Sequence, residues 1–428
     1  MRFDTCSLQG ETKLKISCNL SITFIINSPE EFDYLCEEGI KKEPAGIRKL
    51  NSENRTYMKK VLILGAGLVS KPMVEYLLGE GFEVIIATRT KEKADRLLGG
   101  HRNGKSIAWV MEDMDKLSDM VRDSDLTVSL LPYRFHVDVA KFCLRFRKPL
   151  VTTSYVSPAM QALHDDAVKA GVIFLNEAGL DPGIDHMSAM RIIDNVRERG
   201  GKIEEFYSLC GALPAPEDAN NPLGYKFSWS PKGVVLASRN GATYLKHGKI
   251  INIEPIDLFK DRFTHPFPGV GDLEVYPNRD SVSYVDIYGL KGIQTMYRGT
   301  FRFKGWCETL DLMKATGLID DGDKDYTGMT FRQFVAEKAG VPGNDLRKEL
   351  KEKPGLNPTD RSLEALEWLG LFSDTDMGYA VTSPYEITSD LMIKKMWLND
   401  NERDMIVMQH LFLATYHDGK SEVISSRM

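Results

Sequence analysis

The chain has 428 residues, 42% of them hydrophobic and 27% charged, with a formal net charge of -6. That length exceeds one ordinary core and the composition is that of a globular protein, so two or three domains are expected. The acidic balance leaves no basic footprint for nucleic acid, and no apolar run approaches the roughly 18 residues of a membrane span, so neither partner is expected.

Residues 1–58 hold one apolar run, "LSITFIIN", in otherwise weakly patterned sequence, and read as an N-terminal extension with no assigned function. Asp4 and Glu11 come early and no secretory or mitochondrial leader pattern is visible, so a cytoplasmic location is expected. Cys6, Cys18, Cys36, Cys143, Cys210 and Cys307 are scattered without CxxC or Cys/His spacing. They read as reduced thiols, and neither they nor the eight histidines suggest a metal site.

From Lys60 the pattern becomes regular. Val61 to Leu64 reads as a strand, and Val69, Met73, Tyr76 and Leu77 read as the buried face of the helix after it. "EVIIAT", "LTVSLLP", "KPLVTTS" and "GVIFLNEAG" read as further strands separated by helices, one of them opened by Ser157 as N-cap and Pro158 at its first position. This alternation over 59–184 predicts a parallel sheet with helices on both faces, a Rossmann dinucleotide-binding domain.

Past "DPGIDHMSAMRIIDNV", where Ala189, Ile192, Ile193 and Val196 form a helical stripe, Gly- and Pro-rich segments separate the β-type runs "IEEFYSLCGAL", "YKFSWS", "VSYVDIYGL" and "GTFRFKGW". They predict an α/β domain with a mixed or antiparallel sheet over 185–307 and 399–428. Residues 308–398 read as a helical domain, and "DMIVMQHLFLATYHDGKSEVISS" as a hairpin around Asp418-Gly419.

Chemistry enters at "GAGLVS". Gly65 gives the strand its sharp turn into a helix, and Gly67 lets backbone approach a pyrophosphate held at the helix N-terminus. Small Ser70 stands where the fingerprint has its third glycine. The second strand ends Thr88-Arg89-Thr90 with no acid at the tip, which favours the 2′-phosphate of NADP over the 2′-hydroxyl of NAD. "SLLPYRFH" brings Ser129 to Pro132 to the same sheet edge, where the Leu-Pro break exposes backbone to the nicotinamide half.

The next two strand ends carry Thr153, Ser154 and Asp181. Asp181 reads either as a helix cap or as a carboxylate for a substrate ammonium group. Arg279 in "YPNRDS" and Arg302 in "RGTFRF" suit a substrate with several carboxylates, since a guanidinium fork binds a carboxylate through two parallel bonds. His186 reads as structural.

"GAGLVSKP", "VTTSYVSPAM", "NEAGLDPGIDHM", "CGALPAPEDANNPLGYKFSWSPKGV" and "YPNRDS" together resemble the glutamate-forming saccharopine dehydrogenases, from about Lys60 onward. The resemblance implies three domains, the α/β domain over 185–307 and 399–428 serving substrate binding and dimerisation, and a homodimer; members of the family carry a further helix, returning to the Rossmann domain, beyond the position of "SEVISSRM". It implies interconversion of saccharopine, NADP+ and water with L-glutamate, 2-aminoadipate 6-semialdehyde and NADPH through an imine. It further implies an NADP site lined by Gly65, Ala66, Gly67, Leu68, Val69, Thr88, Arg89, Thr90, Ser129, Leu130, Leu131, Pro132, Leu180, Asp181, Pro182 and Ser230. Saccharopine would contact Thr153, Ser154, Asp181, Arg279, Thr300, Phe301 and Arg302, with Asp181 as the candidate for moving the amine proton. Two other readings accompany this one: an oxidoreductase of the same superfamily acting on another amine, and a catalytically silent NADP-binding relative.

Overall fold

Four successive apolar residues, Val61 to Leu64, need cover on both faces, and they find it in β1 (Lys60–Leu64), near the middle of a six-stranded parallel sheet. The computed structural model describes residues 58–428 and the backbone of three strands, Phe3–Leu8, Glu11–Ser17 and Ser21–Ile26, which form a small sheet. The remainder of the expected extension over 1–58 lies outside the described residues, as do the side chains of Cys6, Cys18 and Cys36. The chain divides into two compact units, one carrying residues 58–188 and the other 189–428.

In the first unit β1 is joined by β2 (Glu83–Thr88), β3 (Gly104–Ala108), β4 (Leu126–Ser129), β5 (Leu150–Thr152) and β6 (Phe174–Leu175), in the order β3-β2-β1-β4-β5-β6. Strand pleating sends Leu62 and Leu64 to one face, where they pack with Leu117 and Val139. Val61 and Ile63 go to the other, with Val74, Ala94 and Leu98. The helices α1 (Lys71–Gly79) and α2 (Lys91–Leu98) supply the second set, and α3 (Met114–Arg122) and α4 (His136–Arg145) the first. Strand order reverses between β1 and β4, and such a switch point opens a crevice at the carboxyl ends of the strands.

The expected buried face of α1 is displaced. Val69 is 62% exposed and Tyr76 58% exposed, while Val74 and Leu78 fill the core, with Met73 and Leu77 packed beside them. The helix begins at Lys71, so Val69 belongs to the loop before it and never joins the helical stripe. Ser157 does cap its helix, accepting a hydrogen bond from the Met160 amide.

The second unit is built on an eight-stranded mixed sheet. Its strands are β7 (Gly201–Pro214), β8 (Ala242–Lys246), β9 (Lys249–Ile253), β10 (Phe263–Phe267), β11 (Gly271–Pro277), β12 (Thr295–Arg302), β13 (Asp404–Tyr416) and β14 (Ser421–Arg427). The order β9-β8-β12-β7-β13-β14 is antiparallel except where β7 and β12 run parallel, and β11 pairs with both β10 and β12. Helices Trp306–Ala315, Phe331–Ala339, Asp360–Leu369 and Pro384–Lys395 cover it. One core joins them to the sheet, from Leu209 and Phe301 through Leu310 and Phe334 to Leu366 and Ile387. The last two strands are the hairpin expected around Asp418-Gly419.

Two β-type runs are not strands. "VSYVDIYGL" carries the helix Ser283–Ile287, because Asp280 Oδ1 accepts from the amides of Val282 and Ser283 and so starts a turn of helix against the β preference of its aromatic and branched residues. "YKFSWS" is a loop, buried from Tyr225 to Phe227 and organised by Asn221, whose side chain donates to Tyr225 O (2.8 Å) and accepts from the Leu223 amide (3.0 Å).

Candidate active site

At the end of β1 the chain turns at Gly65, whose φ of 110° and tight fit under Leu130 O (3.2 Å from a would-be Cβ) admit no side chain without strain. Gly67 is exposed, and a Cβ there would meet nothing within 4 Å. Ser70 is buried and its hydroxyl folds back onto Gly67 O at 2.6 Å, so it packs where the fingerprint expects a small residue. The first turn of α1 carries no acidic side chain to neutralise the positive end of the helix dipole. An open backbone face, a bare helix N-terminus and a small packing residue together fit a pyrophosphate. Ala66 is half-buried beside the exposed Leu68 and Val69. At the tip of β2, Thr88 and Thr90 are half-buried and Arg89 stands exposed.

The adjoining strand ends carry polar groups that interlock. Ser129, last residue of β4, is fully buried, and its hydroxyl lies 2.9 Å from His136 Nδ1. On the far side of that ring, His136 Nε2 lies 2.9 Å from the Ser154 hydroxyl. Burial holds the His136 imidazole down to about 4, against an ordinary value near 6.5, so the ring is neutral at pH 7. Thr153 and Ser154 follow β5, and the segment after β6 folds against them: the Glu177 amide donates to Ser154 O, the Ala178 amide to Thr152 O, and Gly179 lies close against Thr153. Glu177 adopts φ 57°, receives the Val156 amide at 2.9 Å and lies 2.8 Å from His186 Nε2.

Asp181 Oδ1 accepts the Tyr155 hydroxyl at 2.7 Å. The carboxylate of buried Asp185 accepts the Gly183 amide at 2.6 Å. Thr153, Ser154 and Asp181 are therefore gathered at one sheet edge. Leu130, Leu131 and Leu180 are half-buried there, Pro132 is exposed and Pro182 is buried. His186 lies between two carboxylates, its Nε2 2.8 Å from Glu177 and its Nδ1 3.7 Å from Asp185.

In the second unit, β12 presents Arg298, Thr300 and Arg302 on one face by the two-residue period of a strand, with Phe301 on the other. Arg302 is 5% exposed, its guanidinium lying 4.8 Å from the Tyr225 ring centroid and 5.4 Å from that of Trp306. Its Nη1 donates to Phe301 O at 2.8 Å, its Nε has no partner, and among the described residues no carboxylate pairs with it. A buried guanidinium without a counter-charge is costly, and an anionic ligand removes that cost. The Asn221 loop explains the length of the "NPLGYKFSW" motif, because it sets Tyr225 under Arg302.

Arg279 is exposed, with a left-handed φ of 50°, on the turn after β11 whose Asn278 amide donates to Arg298 O. Thr300 is half-buried opposite Tyr276. Phe301 is fully buried and packs edge-on against Phe267, and Ser129 is fully buried, so neither side chain presents surface to a ligand. Ser230 is exposed at the N-terminus of Pro231–Ala237. Three contributors escaped sequence reasoning. His136 and Tyr155 lay inside "SLLPYRFH" and "VTTSYVSPAM", but their partners are reached only through the fold. Arg298, 2% exposed with its guanidinium 4.5 Å from the Tyr284 ring centroid, had a visible signal: two-residue spacing with Thr300 and Arg302. Among the described residues no group of three or more His, Cys, Asp or Glu side chains is placed to hold a metal.

A parallel sheet with a glycine turn at its switch point, in a chain whose other unit presents a buried arginine, defines a nicotinamide-dinucleotide oxidoreductase acting on an anionic substrate. The Saccharopine dehydrogenase NADP binding domain matches residues 61–175, and the Saccharopine dehydrogenase C-terminal domain matches 179–428. The saccharopine dehydrogenase [NADP(+), L-glutamate-forming] of Schizosaccharomyces pombe is 38% identical over 383 residues, 85% of this chain and 84% of that one. The enzyme of the same name from Saccharomyces cerevisiae is 38% identical over 386 residues, 86% of this chain and 84% of its own. The apo structure of saccharopine dehydrogenase (L-Glu forming) from Saccharomyces cerevisiae has a TM-score of 0.76 at 36% identity, covering 86% of this chain and 85% of that one. The chain belongs to the saccharopine dehydrogenase family, and its cofactor is NADP.

Proposed function

We propose that the protein interconverts saccharopine, NADP+ and water with L-glutamate, 2-aminoadipate 6-semialdehyde and NADPH, the reaction for which its relatives are named. The observation that carries this reading is Arg302, a buried and aromatic-flanked guanidinium with no counter-charge of its own, in a chain whose other unit has the backbone of a dinucleotide site. Bound NADP supplies the hydride acceptor. The protein's own work is then positioning and charge compensation, not nucleophilic attack. Gly65, Ala66, Gly67, Leu68 and Val69 present backbone to the pyrophosphate, and Thr88, Arg89 and Thr90 receive the 2′-phosphate. The 129–132 strand end, Leu180 to Pro182 and Ser230 complete the cofactor's surroundings, Ser129 and Pro182 from beneath.

Arg302, Arg279, Thr300 and the Thr153–Ser154 pair hold the carboxylates of a tricarboxylic amine. Phe301 acts through the strand it anchors. Asp181, hydrogen-bonded to Tyr155, is the group offered to the substrate's amine proton. The domain scheme accompanying this reading is a Rossmann domain over 59–184, a substrate domain over 185–307 and 399–428, and a helical domain over 308–398.

A cytoplasmic location and a homodimer belong to the same proposal. Among the described residues no helix is long and apolar enough to cross a membrane, and Cys143 and Cys307 are free thiols. Sedimentation of the 48.3 kDa chain at twice its mass is the outcome expected for the dimer. Product analysis tests the chemistry: saccharopine and NADP+ yield glutamate and the semialdehyde in equal amounts. Turnover of a different secondary amine in place of saccharopine would refute the substrate.

A further inference from the structure

Ser129, His136 and Ser154 form a hydrogen-bonded file from the core of the first unit to its site edge. Each member has a fixed proton supply. Ser129 is fully buried, and its hydroxyl's neighbour is His136 Nδ1 at 2.9 Å, so a proton placed anywhere else would be a buried donor without an acceptor. The Ser129 O–H therefore donates to Nδ1. A neutral imidazole carries one N–H, and with Nδ1 accepting, that N–H sits on Nε2 and donates to Ser154 Oγ. Ser154 then receives from the ring and keeps its own hydroxyl proton for whatever lies at the half-buried edge of the site.

We infer that the buried Ser129–His136 pair fixes Ser154 as an outward hydrogen-bond donor, and that Ser154 thereby selects an acceptor group of the substrate, a carboxylate oxygen, over an ammonium group. His136 is on this account a positioning residue acting through Ser154. Its depressed basicity supports the assignment, since an imidazolium would donate from both nitrogens and leave the Ser129 hydroxyl proton without its acceptor. The substrate half of the inference rests on the saccharopine reading. The tautomer half does not, and the two can fail separately.

Nitrogen-15 NMR of histidine-labelled full-length protein reads the tautomer directly. The expected result is a neutral His136 at pH 7 in the Nε2–H form, and its loss of that preference in Ser129→Ala. An Nδ1–H tautomer or an imidazolium in the wild type would overturn the file whatever the enzyme's substrate. The substrate half is read from steady-state kinetics. His136→Asn places its amide near the Nδ1 position and cannot reach Ser154, whereas His136→Gln carries an amide N–H to the Nε2 position. Asparagine should raise the saccharopine KM roughly tenfold with the NADP dissociation constant unchanged, and glutamine should recover most of that loss. Equal KM values for the two variants, or a parallel loss of NADP affinity, would contradict the role. Absence of saccharopine turnover in the wild type, with the Nε2–H tautomer in place, would refute the saccharopine reading while leaving the file intact.

Discussion

On the proposed function the two units hold an anion in opposite ways. In the first, the groups facing a ligand are backbone: an open Gly67, a helix N-terminus free of acids, and a turn that Gly65 alone can make. In the second it is a side chain, Arg302, buried on a strand and stacked on aromatic rings. Backbone recognition costs the apo fold little, because amides at a helix end are exposed to water until the ligand arrives. A buried guanidinium destabilises the apo fold until its partner binds. The second unit should therefore gain more stability from its ligand than the first.

The largest expected effect breaks that contrast at Arg302. Leucine there removes a charge without a counter-charge, so Tm should hold or rise, while kcat/KM for saccharopine falls by about 100-fold or more. A fall in Tm with activity retained would mean that Arg302 is a packing residue.

Next comes the acid limb of stability, which belongs to the first unit. His136 titrates near 4 when folded and near 6.5 when free, so below pH 6.5 the unfolded chain binds more protons than the folded one. Its contribution is complete above pH 6.5 and is lost as pH falls toward 4, on the order of 3 kcal/mol for a shift of this size. Urea unfolding at a series of pH values should show this slope, and His136→Asn should lack it.

The glycines sharpen the backbone side of the comparison. Gly67→Val has room in the apo fold, so Tm should change little while the NADP dissociation constant rises roughly tenfold or more through collision with the pyrophosphate. Gly65→Ala should instead lower stability by roughly 1–3 kcal/mol, because its φ of 110° is a conformation that side chains avoid. Thermal shift and fluorescence titration together separate the two. The smallest change expected is at the cofactor's edge: Arg89→Asp should move the preference from NADP toward NAD by several-fold, and an unchanged ratio would remove Arg89 from the 2′-phosphate.

What could be read from the sequence differs between the units for the same physical reason. The first is legible because its strands follow one another in chain order with helices between, so local apolar runs and the glycine turn at Gly65 report the whole layout. Its miss was the register of α1, where Val69 precedes the helix and Val74 and Leu78 hold the core. In the second unit β12 pairs in parallel with β7, Glu205 facing Thr295 across some ninety residues, and no local period announces such a contact. Composition misled as well. The aromatic and branched run at 282–290 carries the helix Ser283–Ile287 because Asp280 starts it, and "YKFSWS" lies in a loop because Asn221 folds it. Among site residues, the glycines and arginines were visible as types, but the burial of Phe301 and the Ser129–His136–Ser154 file exist only once strand ends have been brought side by side.

The central claim is that one chain joins a backbone site for NADP to an arginine site for a polycarboxylic amine. Growth of NADPH absorbance in purified protein given saccharopine and NADP+ tests it most directly. The account predicts steady growth in the wild type, and in Arg302→Leu growth slowed by about 100-fold or more while NADP still binds. No growth in the wild type, or equal growth in both, would contradict it.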